Sequence, residues 1–246
     1  MANWNDPRTT QRGMGSSPSL RGEASGVAYD AGLRRYMLSI YNYMASGVLL
    51  SGAVALGLFA SGLGYALFAS PLRFLIFLSP LAIVLAMSFG ANRFSAGALK
   101  GMFWAFSVLM GMSLTTIFFV YTGPSIAATF FATAGAFAGL SLFGYTTQKD
   151  LSGMGTFLIM GVVGLLIASV INMFLQSTGL MWAVSFLGVL IFAGLTAYDT
   201  QMLKRQYYSV RGTEFVDKVI VMGALSLYLD FINMFQFLLS FMGQRN

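Results

Sequence analysis

The chain has 246 residues, of which 57% are hydrophobic and 9% charged, and its mean hydropathy is +0.74. Soluble domains carry roughly 25% charged residues, so this composition belongs to an integral membrane protein. It contains no Cys and no His, which excludes thiol and imidazole catalysis, disulfides, His/Cys metal sites and a histidine pH switch, and leaves proton sensing to carboxylates.

Residues 1–33 are rich in Gly, Ser, Pro and Arg, as in Arg12-Gly-Met-Gly-Ser-Ser-Pro-Ser-Leu-Arg21, and show no apolar periodicity that could support a core. They read as a disordered cytoplasmic tail, and residues 34–246 as one bundle. The first apolar run starts near Tyr36 and is too long and too late for a secretory signal, so it is expected to stay as the first span. Apolar runs of about 20 residues then recur near 36–61, 72–91, 99–121, 125–145, 153–175, 181–203 and 219–242, each matching the bilayer requirement. The sequence thus predicts an all-α membrane protein with seven transmembrane helices joined by short loops.

Alternate loops of a seven-span protein share a side, so the bases fix orientation. Arg8, Arg12, Arg21, Arg34, Arg35, Arg93, Lys100, Lys149, Lys204, Arg205, Arg211 and Lys218 fall on one side, and only Arg73 and Arg245 on the other. The positive-inside rule puts the N-terminus in the cytoplasm and the C-terminus in the periplasm. The net charge of +6 is then explained by topology and contact with the lipid bilayer, and no nucleic-acid partner is expected. Gly97-x-x-x-Gly101 and Gly135-x-x-x-Gly139 place small residues one turn apart and read as helix-packing positions.

Six of the eight acidic residues lie in the tail or in loops. The other two are Asp199, near the end of the sixth span, and Asp230, near the middle of the seventh. A carboxylate at mid-membrane costs about 2.5–3.5 kcal/mol on the insertion scale unless it is paired, hydrated or protonated. Ser226, Asp230, Asn233 and Ser240 share a stripe about 80° wide on a helical wheel, so the seventh span has one polar face. Ser226 and Asn233 are the expected hydrogen-bond partners of Asp230.

If Asp199 and Asp230 approach each other, desolvation and like charge favour one shared proton, and the pair titrates as a unit. The protonated pair can tie two helices together. The doubly ionised pair repels and offers oxygen ligands to a weakly held hard cation such as calcium. The depths conflict, however: Asp230 lies roughly 16 Å from the start of its predicted span, and Asp199 only about 6 Å from the end of its own. No cofactor is expected; calcium would be the permeant ion.

Three segments, Thr147-Gln148-Lys149-Asp150-Leu151-Ser152, Tyr198-Asp199 and Ala224-Leu225-Ser226-Leu227-Tyr228-Leu229-Asp230-Phe231-Ile232-Asn233, resemble the Bax inhibitor family, the transmembrane Bax-inhibitor-motif proteins. The resemblance covers all seven spans and points to a bacterial member. It implies a seven-helix fold with the seventh helix central, a pH-sensitive calcium leak, and an aspartate pair on Asp199 and Asp230. It also implies that Arg93 latches onto Asp199. Some members carry an acidic residue inside the second helix; here that region reads Leu81-Ala82-Ile83-Val84-Leu85, which lowers cation attraction.

Two other functions compete. Tyr198-Asp199 is similar to the first motif of intramembrane aspartyl proteases, but Leu227-Tyr228-Leu229 precedes Asp230 where those enzymes use small residues, so no enzyme is expected. Bacterial relatives in the resembled family are associated with a membrane-bound ATP-dependent protease, so the alternative is an interaction protein that modulates such a protease or a stress response.

Overall fold

The computed structural model describes the backbone of residues 18–246 and the side chains of 31–246. Its helices are α1 (Pro18–Ala60), α2 (Leu63–Ala69), α3 (Leu72–Gly90), α4 (Ala96–Leu114), α5 (Ile117–Val120), α6 (Gly123–Thr146), α7 (Ser152–Leu175), α8 (Thr178–Val210) and α9 (Val216–Met242). Seven stretches among them are long and apolar enough to cross a membrane: Ala31–Ala60, Leu72–Gly90, Ala96–Val120, Gly123–Thr146, Ser152–Leu175, Thr178–Val210 and Val216–Met242. The chain is an all-α membrane protein; α2 is a short helix between the first two spans, and α5 is the last turn of the third span, Ala96–Val120. Residues 1–17 of the expected tail lie outside the described residues. From Pro18 onward the backbone is helical, because extending an existing helix fixes one residue per hydrogen bond and avoids the cost of nucleation.

Local sequence sets the breaks. Gly62 takes a left-handed φ of 73° between α1 and α2, and Gly212 a φ of 75° before α9, a region open to Gly because it lacks Cβ. Ser95 and Ser177 cap α4 and α8 by accepting the backbone N–H of Ala98 and Leu180, as expected of N-cap serines. Pro80 lies inside α3 and has no N–H for the carbonyl four residues earlier, that of Ile76. The hydroxyls of Ser113 on α4 (2.9 Å) and Ser79 (3.2 Å) donate to that carbonyl instead. In lipid such a freed acceptor must be satisfied by protein, so the proline fixes where α4 packs. Ser113→Ala is expected to cost about 1 kcal/mol or less in the wild type. It should cost less in a Pro80→Ala background, where residue 80 regains its N–H; thermal unfolding of the four proteins in detergent measures the difference.

α9 packs against α1, α4, α6 and α8. Some 67% of its most apolar 18-residue window is buried, against 33% or less for every other span. Tyr228, Leu227, Val221 and Ala224 are fully enclosed, and the Tyr228 ring meets Phe106 and Phe103 of α4 edge-on. α7 is the opposite case. It leans on α8 and exposes Phe157, Leu166 and Phe174, side chains suited to acyl chains.

The glycine spacing misjudged the packing positions. A Cβ at Gly101, Gly135 or Gly139 would meet nothing within 4 Å; these glycines sit on open helix faces, and their one-turn spacing carries no contact. The close approaches occur at Gly111, where a Cβ would lie 2.6 Å from the Ser51 carbonyl oxygen, and at Gly144, where it would strike the backbone of Ala197.

Candidate functional site

α8 continues seven residues past its predicted end at 203, to Val210, because Lys204, Arg205 and Gln206 continue a helix into water at no cost. This removes the conflict of depths. Asp199 lies eleven residues before the end of α8 and Ser226 ten residues after the start of α9, roughly 16 and 15 Å along antiparallel neighbours. The Ser226 hydroxyl donates to Asp199 Oδ2. Asp230 is one turn deeper on α9.

Both carboxyls are buried, Asp199 at 7% and Asp230 at 4% exposure. Asp230 Oδ2 and the Tyr36 hydroxyl are the fully enclosed side-chain polar atoms without a hydrogen bond among the described residues. Enclosed polar atoms are nearly always paired, and leaving one unpaired costs about 1–3 kcal/mol or more if charged.

The expected partners are corrected in part. Ser226 serves Asp199 and not Asp230, because its side chain lies toward α8 while Asp230 sits a turn away. Asn233 Nδ2 donates to the Leu229 carbonyl of its own helix at 2.8 Å and supplies no bond to Asp230. Arg93 is exposed in the turn after α3 and makes no ion pair with Asp199 among the described residues. α3 packs on α4 and α2, away from α8.

Two polar chains lay outside the sequence reading. Tyr228 OH and Ser51 Oγ are 2.6 Å apart, and Ser51 donates to the Ser107 carbonyl at 2.6 Å. With the Ser51 proton so used, Tyr228 is the donor, and the chain ties α9 to α1 and α4 two residues from Asp230. On the other side, Tyr41 OH donates to Ser141 Oγ, which lies 2.9 Å from Thr200 Oγ1, next to Asp199. Isolated serines such as Ser51 and Ser141 in apolar spans were the available signal, since such residues seek partners across helices, whereas Ser107 contributes only its backbone carbonyl.

At the end of the bundle where α8 ends and α9 begins, the segment 147–151 is fastened to α8. Gln201 accepts the Leu151 N–H at 2.9 Å and donates to the Lys149 carbonyl at 2.8 Å. Lys204 caps the Tyr145 carbonyl at 2.7 Å, and Arg205 pairs with Asp150 at 2.8 Å. Hydrogen bonds from Ser152, then Arg205, hold the Asp150 carboxyl down to about 2. Its contribution is complete above about pH 4 and fades only as the pH falls towards 2. Asp150 is therefore not a sensor between pH 6 and 8.

Among the described residues no group of three or more Asp, Glu, His or Cys side chains could hold a metal. Calcium takes six to eight oxygens, so the two carboxylates could bind it only weakly.

The model of the family described as "Inhibitor of apoptosis-promoting Bax1" matches residues 33–246. An uncharacterized protein of Caulobacter vibrioides is 45% identical over 240 residues, covering 93% of this chain and 96% of the relative. "Inner membrane protein YbhL" of Escherichia coli K12 is 45% identical over 219 residues, covering 87% and 94%. A Rickettsia prowazekii protein, RP147, is 43% identical over 227 residues, covering 88% and 92%.

Proposed function

The chain belongs to the Bax inhibitor family, and from that premise we propose that it is a pH-sensitive cation leak, with calcium as the permeant ion, gated by Asp199 and Asp230. The observation that carries this reading is the buried pair itself. Ser226 of α9 holds Asp199 of α8, and one turn deeper Asp230 keeps an oxygen with no partner.

With one proton on the pair, one negative charge rests on Ser226 and the packed helices stay together. Loss of that proton puts two like charges between α8 and α9, and repulsion opposes their contact. Among the described charged residues on helices packed against α9, Asp199 is the buried one. Lys100 of α4 is engaged at 2.8 Å with Asp217 near the start of α9. A leak needs only weak binding that releases its ion, which suits two carboxylates. We assign Arg93 a latch role only in a conformation that brings α3 to α8.

The relative named as an inner membrane protein supports the same location here, and the basic residues near Asp150 and Asp217 support a cytoplasmic N-terminus and a periplasmic C-terminus. Ser226→Ala is the variant that tests the tie. In liposomes loaded with a calcium indicator, its pH–influx curve should shift along the pH axis by about one unit, the effect of one charge-assisted hydrogen bond of about 1.5–3 kcal/mol partly replaced by water. A curve superimposable on the wild type would remove Ser226 from the gate. Absence of influx from every folded protein would favour the interaction-protein reading.

A further inference from the structure

α1 and α6 are neighbours in the bundle without packing tightly along their length, and between them lies a cavity of about 800 Å³. Its walls are Met37, Met44 and Val48 of α1 and Ala134, Ala138 and Leu142 of α6, and Phe231 of α9 forms the floor. Such a volume is within the range of ligand sites, about 300–1,000 Å³. The lining runs from Arg34 to Leu49 on α1 and from Phe130 to Tyr145 on α6, a rise of fifteen residue steps on each, or about 22 Å. That equals half of a bilayer about 40–45 Å thick with its headgroups: the groove is one leaflet deep.

Its chemistry changes along that depth. The deep part is hydrocarbon. The shallow end carries the Arg34 side chain and Tyr145; behind Tyr145, Lys204 lies 4.9 Å from its ring and donates to its carbonyl. Basic sites between transmembrane helices attract anionic headgroups. We propose that this groove binds an anionic phospholipid of the leaflet at the Arg34 end, with one acyl chain between α1 and α6 and the headgroup phosphate at Arg34. Charge complementarity at the mouth and the one-leaflet length select this occupant over an extended protein segment, which would place unpaired backbone groups in hydrocarbon.

The full chain, reconstituted with phosphatidylglycerol that carries a diazirine in one acyl chain, tests this directly. Irradiation should give adducts on the 37–49 and 130–142 segments. Unlabelled phosphatidylglycerol should compete about fivefold better than phosphatidylcholine, the ratio that one base near the membrane surface confers. Arg34→Gln should bring the two competitors level. Ala138 and Ala45 are exposed, so Ala138→Trp or Ala45→Trp should fold and remove the adducts, whereas Ala136→Trp on the opposite face of α6 should not. Labelling spread equally over α7, or equal competition in the wild type, would overturn the proposal. So would a groove free of lipid adducts and crosslinked instead to residues 1–17 or to a second copy.

Discussion

Asp230→Asn is expected to flatten the dependence of calcium influx on pH between 6 and 8, and Asp199→Asn to do the same. Asn keeps the size and polarity of the side chain but cannot take up or release a proton, so the pair can no longer pass between one and two negative charges. The stability of the two variants should differ in an instructive way. Asp230 has an enclosed oxygen without a hydrogen bond, and once the pair has lost its shared proton a neutral amide is cheaper to bury there than the unpaired carboxylate. Asp230→Asn should therefore unfold in detergent at or above the wild-type temperature at the alkaline end of the pH 6–8 range, where the wild-type pair is doubly ionised. Asp199→Asn weakens the hydrogen bond from Ser226 and should unfold lower. A variant that is stable and has a flat pH response separates a gate from a structural anchor; one that unfolds early and keeps the wild-type slope would show the anchor.

Gly144→Val carries the largest expected structural cost. Gly144 faces the backbone of Ala197 on α8, two residues before Asp199, and a peptide backbone cannot turn aside as a side chain can. The helices must separate, which costs about 1–3 kcal/mol or more for overpacking, and the strain falls where Ser226 and Asp199 meet. Gly139→Val, on an open face of the same helix, is expected to stay within about 0.5 kcal/mol. The thermal midpoints of the two variants in detergent measure the contrast. Equal midpoints would mean that α6 and α8 do not approach as closely as described here.

The seven spans were legible because twenty apolar residues in a row have few uses other than crossing a bilayer. The end of α8 was not. Lys204 and Arg205 mark where the apolar run stops, whereas the helix stops at Arg211 and Gly212. That difference accounts for the apparent mismatch in depth between Asp199 and Asp230. The two aspartates stood out because an intramembrane carboxylate has to be explained. Their partners did not, since a helical wheel gives the face of one helix and not the side chain opposite. Ser226 and Asp230 share a stripe, yet the serine bonds across to α8, and Asn233 turns back to its own helix. Ser113 and Pro80 show the same limit: a proline announces a free carbonyl, but only the fold says which serine answers it.

We propose that Asp199 and Asp230 make one proton-controlled gate for a cation leak. The most direct test is calcium influx into liposomes holding the purified wild-type protein, read from pH 6 to 8 beside empty liposomes and both Asn variants. A gate of this kind gives influx above the empty control that changes with pH in the wild type and is flat in each variant. Influx no greater than in empty liposomes, with all three proteins folded, would contradict it.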